Sequence, residues 1–331
     1  MICKLIDVCY INNYKQLAAS TLESLRTPYG NIKLLPSSKD YNWVSTSEIA
    51  RKYICNGEII TLGKARYANI KYNNGPFVSS NNVIIESNNQ DKILTKYIYY
   101  YCLKNHKTFY VEGTTYPKFD ITTFSNSFII IPSVNEQSKI IFKLDYLCNQ
   151  INKEEKNKMF LDELIKSRFN EMFGDPILND KGLDLAKLSS ISRLKSGKAI
   201  KTGELVSEND GSLYPCYGGN GLRGYINRFS HDGDYPIIGR QGALAGNVNY
   251  ATGKFYATEH AVVANPSSRL NPLWYFYALT YFDLMRFQSG AAQPGLAVEK
   301  LNELELPLPN IDLQNEFADF VNLIDKLKFN S

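Results

Sequence analysis

Ile131-Pro-Ser-Val-Asn-Glu-Gln137 is answered 177 residues later by Leu308-Pro-Asn-Ile-Asp-Leu-Gln314, and this echo decides the architecture. In both places an apolar run meets a proline, whose fixed φ suits the start of a helix. Three further matches keep nearly the same offset. Gly57-Glu-Ile-Ile-Thr-Leu-Gly63-Lys64 reads against Gly233-Asp-Tyr-Pro-Ile-Ile-Gly239-Arg240, and Gly75-Pro-Phe77 against Gly253-Lys-Phe255. Gly113-Thr-Thr-Tyr-Pro117 reads against Gly290-Ala-Ala-Gln-Pro294. Glycine permits positive φ and close backbone approach, so four ordered matches of this kind mark an internal repeat.

Each copy reads as short strands around an aromatic helix. Strands are expected at residues 58–62, 82–86 and 128–131, with counterparts at 235–238, 261–264 and 304–307. The aromatic helical stretches are 94–104 and 272–287. Strands separated by Gly- and Asn-rich turns, with few helices, predict an α+β fold of two mixed α/β domains.

Between the copies, residues 134–173 contain neither proline nor glycine, and their apolar side chains follow a heptad. One row is Leu144, Ile151, Lys158, Ile165 and Met172; the other is Ile140, Leu147, Glu154, Leu161 and Arg168. Gly174-Asp-Pro176 stops the helix. Adding 177 carries Ile140, Leu144 and Leu147 onto Phe317, Val321 and Ile324, so a second helix with the same stripe follows the second copy. The long helices are expected to form an antiparallel coiled coil with Ile140, Leu144, Leu147, Ile151, Leu161, Ile165, Phe317, Val321 and Ile324 in its seam. The second helix is shortened, so pairing should cover only part of the first. At about 1.5 Å per residue the first makes a rod of roughly 60 Å, against about 34–36 Å per turn of B-DNA. The expected organisation is a domain over 1–132, a central helix over 133–175, a second domain over 176–309 and the shortened helix over 310–331.

Composition narrows the function. With 331 residues, 44% hydrophobic and 21% charged, the chain has the balance of a globular protein with room for two cores. No run approaches the roughly 20 apolar residues of a membrane span. The opening residues, with Lys4 and Asp7 among short apolar stretches, have no secretory core, so a cytoplasmic location is expected. Six cysteines and three histidines lie scattered without a CxxC pair, which leaves no local zinc cluster. The net charge of +4 is mild, but basic residues crowd two matching segments. Arg51, Lys52, Lys64, Arg66 and Lys71 form one, and Arg193, Lys195, Lys198, Lys201, Arg223, Arg228 and Arg240 the other.

Motifs for catalysis fail on inspection. Gly57 to Ala65 has five residues between its glycines where a P-loop has four, and Ala65 replaces the hydroxyl that would hold magnesium. Asn271-Pro-Leu-Trp274 is similar to the Asn-Pro-Pro-aromatic motif of DNA amino-methyltransferases, yet no glycine-rich loop for a methyl donor accompanies it. An N-cap by Asn271 with Pro272 in the first turn explains it better. No catalytic or metal constellation is expected. Binding is better served: Arg240 and Gln241, between Gly239 and Gly242, would project from a loop after a strand. Arginine can grip guanine O6/N7, and glutamine adenine N6/N7. Lys64 and Arg66 stand at the equivalent place in the first copy. A stand-alone DNA adenine methyltransferase and a helical scaffold binding only protein are the alternatives.

Ser167-Arg-Phe-Asn-Glu-Met-Phe-Gly-Asp-Pro176 resembles the signature that closes the central helix of type I restriction-modification specificity subunits. Tyr217-Gly-Gly-Asn-Gly-Leu-Arg-Gly-Tyr225, Ile238-Gly-Arg-Gln-Gly-Ala243, Gly253-Lys-Phe-Tyr-Ala-Thr-Glu-His260 and Gly290-Ala-Ala-Gln-Pro-Gly-Leu296 resemble their target-recognition domains. The resemblance implies two such domains, each reading half of an interrupted site in double-stranded DNA, with helices that set the gap and dock two modification subunits. Those subunits would bring S-adenosylmethionine, and restriction subunits would bring ATP and Mg2+. The chain itself would be non-catalytic and hold no cofactor. In this family the closing helix usually runs further than here. The candidate DNA-contacting residues are then Lys64, Arg66, Lys71, Arg223, Arg240, Gln241, Lys254 and His260.

Overall fold

A computed structural model describes residues 1–39, 42–65, 69–113, 115–201, 203–209, 211–290 and 294–329. The chain divides into two compact units, Met1–Asn152 and Lys153–Ser331, and the division falls inside the long helix.

The first unit begins β1 (Ile2–Lys4), β2 (Cys9–Asn12), α1 (Ala19–Ser24), β3 (Ile32–Leu35), β4 (Val44–Ser45) and α2 (Ser47–Ala50). It continues β5 (Cys55–Gly63), β6 (Ile70–Ser79), β7 (Asn82–Ser87), α3 (Thr95–Asn105), β8 (Tyr110–Val111), β9 (Lys118–Phe119), α4 (Ile121–Asn126) and β10 (Phe128–Ile130). The long helix α5 spans Val134–Phe173. Then follow β11 (Leu185–Lys187), α6 (Leu188–Ile191), β12 (Ser192–Ser196), β13 (Tyr214–Gly218), β14 (Gly221–Ile226), β15 (His231–Asp232), β16 (Tyr235–Gly239) and β17 (Val248–Ala251). The second unit ends with β18 (Lys254–Ala257), β19 (Ala261–Pro266), α7 (Pro272–Tyr281), α8 (Val298–Glu303), β20 (Glu305–Pro307) and α9 (Ile311–Phe329).

The repeat in the sequence is a repeat of sheets. One unit orders its strands β2-β7-β5-β6-β3-β4, the other β12-β19-β16-β17. Registers correspond as well: Gly63 faces Asn82 as Gly239 faces Ala261, and Leu62 faces Ile70 as Ile238 faces Val248. The long strand β6 is matched by β17 and β18 together. β3 runs parallel to its far end, with Leu34 opposite Val78, and β13 runs parallel to β18, with Tyr217 opposite Ala257. Gly253, at φ +64°, breaks the strand so that β18 enters a second sheet, β14-β13-β18-β15.

Both units bury an aromatic-rich helix on the shared sheet. Ile98 and Cys102 of α3 meet Ile60, Leu62 and Ile85. α7 is apolar on nearly every face because it is enclosed on both sides, with Trp274, Tyr275, Ala278 and Leu279 buried. Asn271 caps it, accepting hydrogen bonds from the backbone of Leu273 and Trp274, with Pro272 in the first turn. That settles the role of the Asn-Pro-Leu-Trp stretch.

A buried glutamine ties each long helix to its unit. Gln137 Nε2 donates to Lys92 O (2.8 Å) and Pro132 O (3.0 Å), and its Oε1 accepts from Leu94 N (2.9 Å). Gln314 repeats the set, with Arg269 O (3.1 Å), Pro309 O (2.9 Å) and Asn271 N (2.8 Å). Neither side chain is exposed to solvent.

The helices pair as expected, but with a different buried face. α5 and α9 run antiparallel, as the ion pairs Arg168–Glu316 (2.8 Å) and Asp162–Lys328 (2.9 Å) show. Ile165, Phe169, Phe173, Phe317, Val321 and Ile324 are buried and Leu161 packs beside them, with Phe169 and Phe317 edge-to-face at 5.4 Å. Phe169 and Phe173 lie outside the heptad rows: the helix rests on a globular core, so ordinary 3.6-residue periodicity governs it. The expected seam fails in the other half. Ile140, Leu147 and Ile151 are 38%, 54% and 58% exposed, and only Leu144 is half-buried. There the inward face carries Gln137, Ile141 and Asp145, the last bonded to Lys96 (2.7 Å) and Tyr100 (2.5 Å) of α3.

Two measurements check this account. In a Trp43→Phe background, Trp274 fluorescence follows the second unit. There Gln314→Leu should cost about 2–4 kcal/mol by leaving three backbone groups, one buried and two part-buried, unpaired, and an unchanged urea midpoint would contradict the tie. Phe169→Ala should cost the second unit about 3–5 kcal/mol, and Ile151→Ala, read from Trp43 fluorescence in a chain that keeps that tryptophan, should cost the first unit less than about 0.5 kcal/mol; equal losses would mean that both halves of α5 are packed alike.

Candidate DNA interface

The site in the second unit starts from a glycine. An ideal Cβ on Gly239, at the end of β16, would lie 2.0 Å from the carbonyl oxygen of Gly219, so only glycine lets this strand end touch the β13–β14 turn. The loop that follows is pinned by main-chain bonds from Arg240 N to His260 O (3.0 Å), Gly242 N to Pro294 O (2.9 Å) and Leu296 N to Arg240 O (2.9 Å). The first unit has the same frame: Lys64 N donates to Asn81 O (3.4 Å) and Phe119 N to Lys64 O (3.1 Å). Ala65 bridges Lys118 as Gln241 bridges Gly295. Lys64 and Arg240 therefore hold the same backbone position.

Around this loop the second unit opens a cleft of about 740 Å³. One wall is Ile200, Lys201, Gly203 and Leu205; Gly219, Asn220 and Arg223 form another; Gln241, Gly242, Glu259 and His260 complete it. The first wall is stapled by Arg228, which donates to both oxygens of Glu204 (3.2 and 2.8 Å) and lies 5.1 Å from the Tyr256 ring. Hydrogen bonding to Arg228 holds the Glu204 carboxyl below its ordinary pKa. Several buried polar atoms have no hydrogen-bond partner here: Arg240 Nε, Asn249 Nδ2, Thr258 Oγ1, Glu259 Oε2 and His260 Nδ1. An atom of this kind left without any partner costs about 1–3 kcal/mol.

The cleft brings together Arg223, Gln241 and His260, three of the candidates read from the sequence. Arg240 is half-buried, and its Nη1 donates to Ser196 Oγ at 3.1 Å. Lys254 is not among the lining residues: it is exposed beside the β15 pairing, with its ammonium 4.9 Å from the Phe229 ring. Lys64 is exposed at the end of β5. Arg66 lies outside the described residues. Lys71 is a correction. It is 3% exposed and its ammonium donates to the carbonyls of Pro36 and Ser38, so it anchors a loop and cannot meet a phosphate. Asn220 and Glu259 also line the cleft; both stand in the stretches 217–225 and 253–260, but only folding shows which way they face. No group of His, Cys, Asp and Glu that could hold a metal ion occurs among the described residues. No helix there is long and apolar enough to cross a membrane.

Lys71 and Lys64 should separate in experiment. Lys71→Met should lower the stability of the first unit by about 1–3 kcal/mol, read from Trp43 fluorescence in urea. Lys64→Ala should leave that midpoint unchanged, and the reverse pattern would overturn both placements.

The sequence pattern of the type I restriction modification DNA specificity domain matches residues 1–159 and again 181–330. The type I restriction enzyme EcoprrI specificity subunit of Escherichia coli is 35% identical over 247 residues, 70% of this chain and 61% of that protein. A putative type I restriction enzyme specificity subunit of Haemophilus influenzae is 24% identical over 163 residues, 48% of this chain and 41% of its own length. The match to this chain thus spans less than two thirds of either relative. The crystal structure of a type I restriction-modification S subunit from M. genitalium aligns over all of this chain and 90% of its own, with a TM-score of 0.69 at 16% identity, a likeness of fold. One match of the domain pattern falls on each repeat, and the chain belongs to the family of type I restriction-modification DNA specificity domains.

Proposed function

We propose that this chain is the DNA-reading subunit of a type I restriction-modification complex, each unit contacting one half of a bipartite double-stranded site. The observation that carries this reading is a shared frame with unlike loops. β5 and β16 end in backbone-equivalent positions, one presenting Lys64 and the other Arg240 and Gln241. A common frame presents both loops to DNA in one manner, and different side chains make the half-sites differ. Arginine and glutamine are the residues that meet guanine and adenine with paired hydrogen bonds, and lysine contributes phosphate contact.

On this reading α5 and α9 set the gap between half-sites and dock two modification subunits. Those bring S-adenosylmethionine and methylate adenine; restriction subunits bring ATP and Mg2+. The present chain supplies sequence choice, with no catalytic group and no cofactor of its own, and works in the cytoplasm. The relatives named as specificity subunits support this assignment.

Sequencing of methylated adenines in cells with and without the gene tests it. One bipartite motif should disappear with the gene, and no lost motif would end the reading. Arg240→Ala with Gln241→Ala should change one half of that motif. A change in both halves would refute the division of labour between units.

A further inference from the structure

The cleft in the second unit contains a carboxylate that a DNA-facing surface has to account for. Glu259 sits in the tight turn before β19, which is held by Thr258 N to Tyr217 O (2.9 Å) and Ala261 N to Thr258 O (3.0 Å). Its Oε1 lies 3.2 Å from His260 Nε2, a contact that neutralises it only when the ring is protonated. Its Oε2 has no hydrogen-bond partner. Among the described residues no lysine or arginine forms an ion pair with it, although Lys201 and Arg223 line the same cleft. The side chain is 42% exposed, and the terminal torsion of glutamate is broad, so a turn of the carboxylate brings either oxygen to the opening at small cost.

We infer that Glu259 is a specificity-determining residue, accepting a hydrogen bond from the exocyclic amino group of a cytosine or adenine in the half-site met by the second unit. The inference rests on the DNA-reading function proposed above. Phosphates repel a carboxylate, and so do the acceptor atoms of guanine (O6 and N7) and thymine (O4). In the major groove the N–H donors are cytosine N4 and adenine N6. Arg223, across the cleft, carries the complementary donors for the acceptor-rich base of the same pair or for a flanking phosphate. A wrong base leaves the carboxylate facing an acceptor, and the penalty falls at one base pair.

The test uses the whole chain assembled with its modification subunits, on a DNA library randomised in both half-sites, with methylated products sequenced. The wild-type complex should select an amino-bearing base at one position of the second unit's half-site. Glu259→Gln, which adds a donor at that place, should relax the choice there by roughly tenfold or more and leave the other half-site unchanged. Glu259→Ala should relax it too, which guards against an effect peculiar to the amide. A selecting wild type with unaltered variants would overturn the role of Glu259 alone. Uniform loss of methylation on every sequence in both variants would make Glu259 structural and overturn it as well. A wild-type complex that selects nothing would overturn the DNA-reading function together with this inference.

Discussion

Three hydrogen bonds from one buried amide decide where each long helix begins. Gln137 and Gln314 have no exposed surface, and an amide buried without partners costs several kcal/mol. Each is satisfied at a single spot, between the loop before the aromatic helix and the proline that follows the last strand, Pro132 or Pro309. The net gain from such bonds is modest, about 1 kcal/mol apiece. Their larger effect is on geometry. An apolar residue there would let the helix slide or turn on the core, whereas the amide accepts one register and one direction. Sheet, aromatic helix and long helix therefore stand in the same relation within each unit.

That fixed frame is what makes loop chemistry productive. On the function proposed above, a side chain that reaches a base edge would have to be held from behind; the loop after β16 is held by three main-chain bonds and a glycine contact. Among the described residues, the corresponding loop after β5 has two of those bonds and the same bridge. Side chains can then change with little effect on the backbone that carries them. The break at Gly253 is the main structural difference: it turns one six-stranded sheet into two smaller ones and makes room for the β13–β14 hairpin that walls the cleft.

Most of the frame was legible in the sequence because glycine and proline act locally. The matches around Gly63 and Gly239, and around Pro132 and Pro309, mark strand ends and helix starts, and the helix of α5 spans the stretch free of both residues. Asn271 was legible as a cap for the same reason. Burial was not, because it depends on what lies opposite. A heptad count put Ile140, Leu147 and Ile151 in a seam, but these are exposed, and in the later part of α5, which packs with α9, Phe169 and Phe173 take buried places. Charge alone misplaced Lys71, whose ammonium closes on two carbonyls supplied by a distant loop. Glu259 went unnoticed among basic neighbours, since a lone carboxylate has no spacing to betray it.

In each unit the incoming and outgoing strands lie side by side. β1 pairs antiparallel with β10, and β11 with β20. Everything from residue 188 to 304 is thus an excursion that leaves and returns at neighbouring points, and the first unit makes the same excursion between its own pair. Segments with adjacent ends tolerate replacement well, since the join sees the same two strands whatever lies beyond them. An exchange with both ends in those strands would carry Arg269 and Asn271, the backbone partners of Gln314, along with the excursion, and would leave the long helices untouched in the chain. If each excursion reads its own half-site, as proposed above, excursions exchanged independently would give a number of combined sites equal to the product of the choices.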